Sequence, residues 1–404
     1  MTRLILHGGQ IFDGISEKTS TGDVLVEDGR IIEVGSGLDG DEVVDCTDRL
    51  ITPGLFDCHV HFMVDGDFST KTHAETPFSL GFFQAAERMK RTLAIGITSV
   101  REAGGTDAGV KAARERGLIQ GPRMQISLTM LSQTGGHADS WEICGAHMPG
   151  MTDPHPGRPH PIVDSPEEMR KKVRELIRAG ADVIKVATSG GVLSPLSNPK
   201  HAHFRPDELD ALVSEATAAD RFVMAHAQGT QGIKNAVAAG IRSIEHGIYL
   251  DDEAIEMMLA AGTYLVPTLI APLGVLDQIE RGLELPEKVI GIATSVAEAH
   301  RDSVERAIAA GVKVAMGTDT GVTPHGENLR ELAEMSKLGM SDAQVLRSST
   351  SVAADLLGVS NELGTVEVGK IADLVVWEGG SLDVSDMRSR VSTVIQGGSV
   401  VAIP

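Results

Sequence analysis

The chain has 404 residues, with 36 Lys and Arg against 56 Asp and Glu, and a formal net charge of −20. That charge excludes nucleic acid as a main partner, because counterion release at phosphates needs clustered cations, and it argues against docking on an anionic membrane. Hydrophobic residues at 42% and charged residues at 23% match a globular chain long enough to bury a large core.

The first fifty residues read as short strands: LILHGGQIF, DVLVEDG and RIIEVG, with Asp28-Gly29 as a hairpin signal. MTRLILHGGQIFDG holds only a three-residue apolar run, too short for a secretory signal. Cys46, Cys58 and Cys144 form neither a disulfide framework nor a CxxC site. No run of about 18 apolar residues stands anywhere in the chain. A cytoplasmic protein without a membrane span is the expectation.

From about residue 50 the pattern changes. Helical stretches end in Ala-Gly or Ala-x-Gly, at Gly96, Gly180, Gly240, Gly262 and Gly311, and a β-branched run follows each. Glycine suits the left-handed position just past a helix, and continuous apolar runs suit buried parallel strands. With RMQISLTM, RFVMAHAQ and LITPGLFDCHVHF, this predicts eight strands near 50–62, 97–103, 123–130, 182–188, 222–227, 241–246, 263–268 and 313–319. The fold class is therefore α/β, a (β/α)8 barrel. A doubly wound sheet is the runner-up, but no GxGxxG follows the first strand. Residues 131–165, rich in Gly, His and Pro, read as a long loop after the third strand.

The tail returns to strands: ADLVVWEGG, STVIQGG and SVVAI. The economical reading is a small β-sandwich domain from both termini, residues 1–54 and 360–404, around a barrel of residues 55–359. Two unrelated β flaps are the alternative.

Barrel active sites lie at the C-terminal strand ends. His59 and His61 alternate at the end of the first strand and so share a face. Lys185 sits in an apolar strand, where a buried ammonium is costly. His226 and His246 end the fifth and sixth strands, and Asp319 ends the eighth. Each alone has a bland explanation as a core or snorkelling residue; six at one end of one barrel do not.

This set resembles the amidohydrolase superfamily with a binuclear metal centre, and TPGLFDCHVHF, MGTDT and GKIADLVVWEGG agree. The motifs TSVREAGG, GGHAD, VIKVATSGG and IEHGIYL resemble the branch of Xaa-Pro dipeptidases and N-acyl-amino-acid carboxypeptidases. The resemblance implies two divalent ions, Zn by preference, with His59, His61 and Asp319 on one and His226 and His246 on the other. It implies that Lys185 has taken up CO2 to become a bridging N6-carboxylysine. It further implies a metal-bridging hydroxide that attacks a small-molecule amide or dipeptide, and homo-oligomeric assembly.

In that scheme Asp319 carries the proton to the leaving amine. His137, in the glycine-flanked loop after strand three, is the candidate donor to the oxyanion, against a bland reading as a solvated loop histidine. Tyr249 and Arg101 are candidates for the substrate carboxylate, although a salt bridge with a neighbour such as Glu102 is the simpler reading of Arg101. Arg205 is a weaker choice, and His201 and His203 read as surface residues. The run ELAEM at 331–335 reads as a solvated helix face. Hydrolysis of a cyclic amide or another non-peptide C–N bond is the competing function. Members of that kind typically use one metal and lack the strand-four lysine. A non-catalytic assembly protein is the remote alternative, because such relatives commonly lose ligands.

Overall fold

The computed structural model describes residues 3–66, 75–141, 144–147, 154–192, 194, 197–280 and 287–401. Five strands open the chain: β1 (Leu4–Ile11), β2 (Ser20–Glu27), β3 (Arg30–Gly35), β4 (Glu42–Asp45) and β5 (Leu50–Pro53). The barrel staves follow as β6 (Leu55–Val60), β7 (Ile97–Glu102), β8 (Arg123–Ile126), β9 (Met130–Leu131), β10 (Val183–Ala187), β11 (Phe222–Ala227), β12 (Ser243–His246) and β13 (Tyr264–Val266). The chain closes with β14 (Leu374–Trp377), β15 (Val391–Gln396) and β16 (Ser399–Val401).

Strands from both ends share one mixed sheet, in the order β16-β15-β14-β5-β1-β2-β3, with β4 on β1. The ends meet where β14 runs antiparallel to β5, Trp377 opposite Leu50. Trp377 is fully buried and donates to Thr52 Oγ1 at 2.9 Å. Its side chain belongs to the large core with Leu55, Leu93 and Ile97, so the sheet packs directly on the barrel. Gly96 makes this possible: at φ 91°, a Cβ there would lie 3.1–3.2 Å from Val375 and the Trp377 ring.

The staves pair in parallel, and β6, β7 and β10 are buried along their whole length. Three of the helices between them start on side-chain caps, with Asp107, Ser165 and Asp251 accepting from first-turn amides. The five Ala-Gly glycines all have positive φ, between 69° and 101°. The fold is a TIM-barrel-like α/β structure.

Two staves depart from the sequence expectation. The third divides into β8, paired with β7, and β9, paired with β10, around Leu128 at φ 68°. The eighth, expected over 313–319, is not a ladder. It is joined by single bridges, Val314 to Leu265 and Thr320 to Val60. Gly317 explains the close fit, since a Cβ there would meet Val266 Cγ1 at 2.3 Å. The acidic helix face is also different: Glu331 is fully buried and accepts from Leu269 N at 2.8 Å and Ile270 N at 2.9 Å. No helix among the described residues is long and apolar enough to cross a membrane.

Candidate metal centre

The six rim residues converge. His59 Nε2 lies 3.4 Å from Lys185 Nζ and 3.5 Å from Asp319 Oδ1, and His61 Nε2 is 3.2 Å from the same oxygen. The His246 ring stands 5.1 Å from that of His59 and 4.7 Å from that of His226. Among the described residues, the ligand atoms of His59, His61 and Asp319 fall within 4.8 Å of one another. His59 and Lys185 are each 1% exposed.

Each imidazole has one nitrogen held from behind. His59 Nδ1 meets Glu245 Oε2 at 2.8 Å, His61 Nδ1 meets Gly104 O at 2.7 Å, and His226 Nε2 meets Gly190 O at 3.1 Å. Carbonyls and ionised carboxylates only accept, so in these three rings the held nitrogen carries the proton and the other offers a lone pair. His246 Nδ1 is held by Thr268 Oγ1 at 2.8 Å. Metal-bound histidines are characteristically oriented this way. The donor set is imidazole and carboxylate around a buried amine, which suits a borderline divalent cation such as Zn²⁺.

The electrostatics agree. Burial drives His246 down to about 3 and holds His59 and His226 well below the usual imidazole range. Burial also pushes Lys185 down to about 8, against the pull of Glu245 and Asp319. Burial works against charge on His61 and Asp319 too. The hydrogen bond and charge of Asp319 nevertheless raise His61, and the histidines around Asp319 hold it well below the carboxylate range. His246 at φ 72°, Thr268 at φ 53° and Asp319 at φ 56° all adopt left-handed backbone. Non-glycine residues hold that conformation only when their surroundings impose it, and such residues cluster at functional sites.

His137 is part-buried, stacked on His226 with centroids 4.0 Å apart, and its Nδ1 meets Ser194 Oγ. Gly191 admits it, since a Cβ there would sit 2.2 Å from the His137 ring. Tyr249 is half-buried, with Lys200 Nζ 4.8 Å above its ring. Lys200, absent from the sequence reading, is fixed there because its backbone packs against Gly229, where a Cβ would meet Lys200 Cα at 2.9 Å.

Arg101 is a correction. It does not reach the rim but is 3% exposed in the barrel interior, and its ion partner is Glu245 at 2.8 Å, not Glu102. His203 is a second correction. It is 4% exposed, its backbone N–H donates to Thr188 O at 2.8 Å, and its charge bears on His137; His201 is exposed as expected. Glu245 was missed altogether, although it directly precedes His246.

A parallel α/β barrel carrying histidines, a lysine and an aspartate at its C-terminal rim defines a class of metal-dependent hydrolases. The chain belongs to the amidohydrolase family, matching its model over residues 50–402. It is 34% identical to an ochratoxinase of Aspergillus niger, over 99% of this chain and 87% of that protein. Its structure is similar to that of a Xaa-Pro dipeptidase with methionine bound in the active site, at a TM-score of 0.89 and 32% identity, covering 99% of this chain and 100% of the other. It is also similar to a prolidase complexed with N-methylphosphonate-L-proline, at a TM-score of 0.90 and 34% identity, covering 99% of both. The protein is a hydrolase, and metal-dependent amide hydrolysis is its chemistry.

Proposed function

We propose that the chain hydrolyses the amide bond of dipeptides or N-acyl amino acids that carry a free α-carboxylate. In this reading His59, His61 and Asp319 would hold one Zn²⁺ and His226 and His246 a second, with Lys185 contributing as N6-carboxylysine. The carrying observation is the set of imidazoles anchored by one nitrogen around the buried Lys185 amine. Burial depresses that amine, which leaves a nucleophilic fraction able to take up CO2.

Two divalent cations supply Lewis-acid polarisation of the scissile carbonyl and make water acidic enough to react near neutral pH. Asp319, held ionised by its histidine neighbours, accepts a proton at a carboxylate oxygen and delivers it to the departing amine. His137, neutral because burial lowers it to about 4, donates from Nε2 to the developing oxyanion. That tautomer requires the one Ser194 hydroxyl proton, which the His137 carbonyl accepts at 2.9 Å, to turn to Nδ1 instead. Tyr249 OH and the Lys200 ammonium, stacked at the rim, receive the substrate carboxylate. Residues 1–54 and 360–404 serve as one β domain supporting the barrel from below Gly96.

The test is a panel on zinc-replete protein: Xaa-Pro and Xaa-hydrophobic dipeptides, N-acyl amino acids, their C-terminal amides, and ring amides. Turnover of the free acids, with about two zinc per chain, is the expected result. Ring-amide turnover with every free acid inert, and about one zinc per chain, overturns it.

A further inference from the structure

Arg101 and Glu245 form a buried ion pair directly behind the candidate centre. The guanidinium uses all three of its nitrogens: Nε donates to Cys58 O at 2.8 Å, Nη1 to Ser243 Oγ at 3.0 Å and Nη2 to Glu245 Oε1 at 2.8 Å. Ser243 Oγ donates onward to Glu245 Oε1 at 2.5 Å. Glu245 Oε2 is left for His59 Nδ1, at 2.8 Å. Arg101 and Glu245 are 3% and 0% exposed, Ser243 and Cys58 0%. Three staves therefore meet in one polar network: β6 through Cys58 and His59, β7 through Arg101, and β12 through Ser243 and Glu245.

The proton inventory has one solution. A lone carboxylate in such an interior is costly and tends to protonate. A planar guanidinium at hydrogen-bond distance offsets its charge and keeps it an acceptor. An ionised carboxylate has no proton to give, so His59 Nδ1 must donate, and His59 Nε2 is left bare toward Lys185 and Asp319. The same guanidinium also holds the Cys58 carbonyl, one residue before His59, and so fixes backbone and ring together.

We propose that Arg101 is a positioning residue: acting through Glu245, it locks His59 as the Nδ1–H tautomer and presents Nε2 to the rim. Its effect on metal affinity rests on reading the rim as a metal centre; its effect on the tautomer does not.

The competing explanation is that the pair only braces the core. Buried ion pairs replaced by apolar residues of similar size often leave stability unchanged or raised. Arg101→Met/Glu245→Leu therefore separates the two roles. In metal-free protein labelled with ¹⁵N-histidine, long-range ¹⁵N–¹H spectra report each tautomer, and His59→Asn assigns the resonance. The expected wild-type result is His59 protonated at Nδ1 alone, with a mixture in the double variant. Zinc affinity, read by competition with a chromophoric chelator, is expected to fall about 10–100-fold, while the thermal midpoint of the metal-free protein stays near wild type.

A double variant that keeps the wild-type tautomer and zinc affinity overturns the proposal. Arg101→Lys keeps the charge but cannot span three partners, and it carries the test should the double variant fail to fold. A mixed tautomer and a roughly tenfold weaker zinc affinity support the proposal; wild-type values in both refute it. A wild-type protein that takes up no zinc refutes the metal reading, while the tautomer still judges Arg101.

Discussion

The two halves of the candidate centre are built differently. His59, His61 and Asp319 stand on staves backed by fully buried polar side chains. Asp57 accepts from His59 N at 3.1 Å, Thr318 N at 3.1 Å, Thr318 Oγ1 at 2.6 Å and Asn328 Nδ2 at 2.8 Å, which ties the first stave to the eighth. Glu102 accepts from Gly104 N at 3.1 Å and so sets the carbonyl that holds His61. His226 and His137 depend instead on the segment after β10, through Gly190 O, Gly191 and Ser194. The first half is preset by the barrel. In the second, His246 is held by Thr268 after the seventh stave, while His226 and His137 lean on the segment after β10, where substitution is expected to alter them without unfolding the protein.

The strongest way to break this contrast is Lys185→Ala, which removes the residue proposed to join both halves. It is expected to abolish zinc retention and turnover together, with partial recovery in short-chain carboxylic acids; zinc analysis and an amidase assay read it. Asp319→Asn is expected to keep zinc and lower kcat by about 10²–10⁴-fold, and a near-native rate would remove Asp319 from the proton path. On the loop side, Gly191→Ala displaces the His137 ring. Its kcat is expected to fall about 10²-fold with stability near wild type, since a donor moved off the oxyanion loses its effect. A drop in thermal midpoint matching the drop in rate would show that the loop is structural after all.

The smallest effect sharpens the comparison through pH. Burial pushes Glu331 up to about 8, against the two amide hydrogen bonds it accepts. The folded protein then holds a proton that the unfolded chain releases near pH 4.5, so stability falls as pH rises between the two values. Thermal midpoints at about pH 5.5 and about pH 8.5 should drop further in the wild type than in Glu331→Gln. Equal drops would mean that Glu331 does not titrate in this window. Because Glu331 fixes the turn bearing Thr268, the hydrogen-bond partner of His246 Nδ1, kcat should follow the same trend.

Local pattern carried much of this structure. Ala-Gly stops followed by β-branched runs place four staves, the apolar runs RMQISLTM, RFVMAHAQ and LITPGLFDCHVHF place three more, and polar residues at their ends mark the rim. The eighth stave was read as a strand because VKVAMG has strand composition, yet its pairing depends on the close approach allowed by Gly317, which is a tertiary fact. Arg101 was misplaced for a similar reason: its partner Glu245 lies 144 positions away, and no local spacing links them. Glu331 had a usable signal. Leu332, Met335 and Leu338 mark a buried stripe at helical spacing, and Glu331 shares that face with Met335. The Lys200–Tyr249 stack joins two loops and left no trace in either.

The eighth stave has one more consequence. Its residues are joined to their neighbours by single bridges and by backbone hydrogen bonds on both sides: Leu265 N to Lys313 O, Ala315 N to Leu265 O, Cys58 N to Met316 O, and Asp319 N to His59 O. In the proposed mechanism the carboxylate would thus be anchored at its own backbone amide, and only its side chain would need to turn between water and leaving nitrogen.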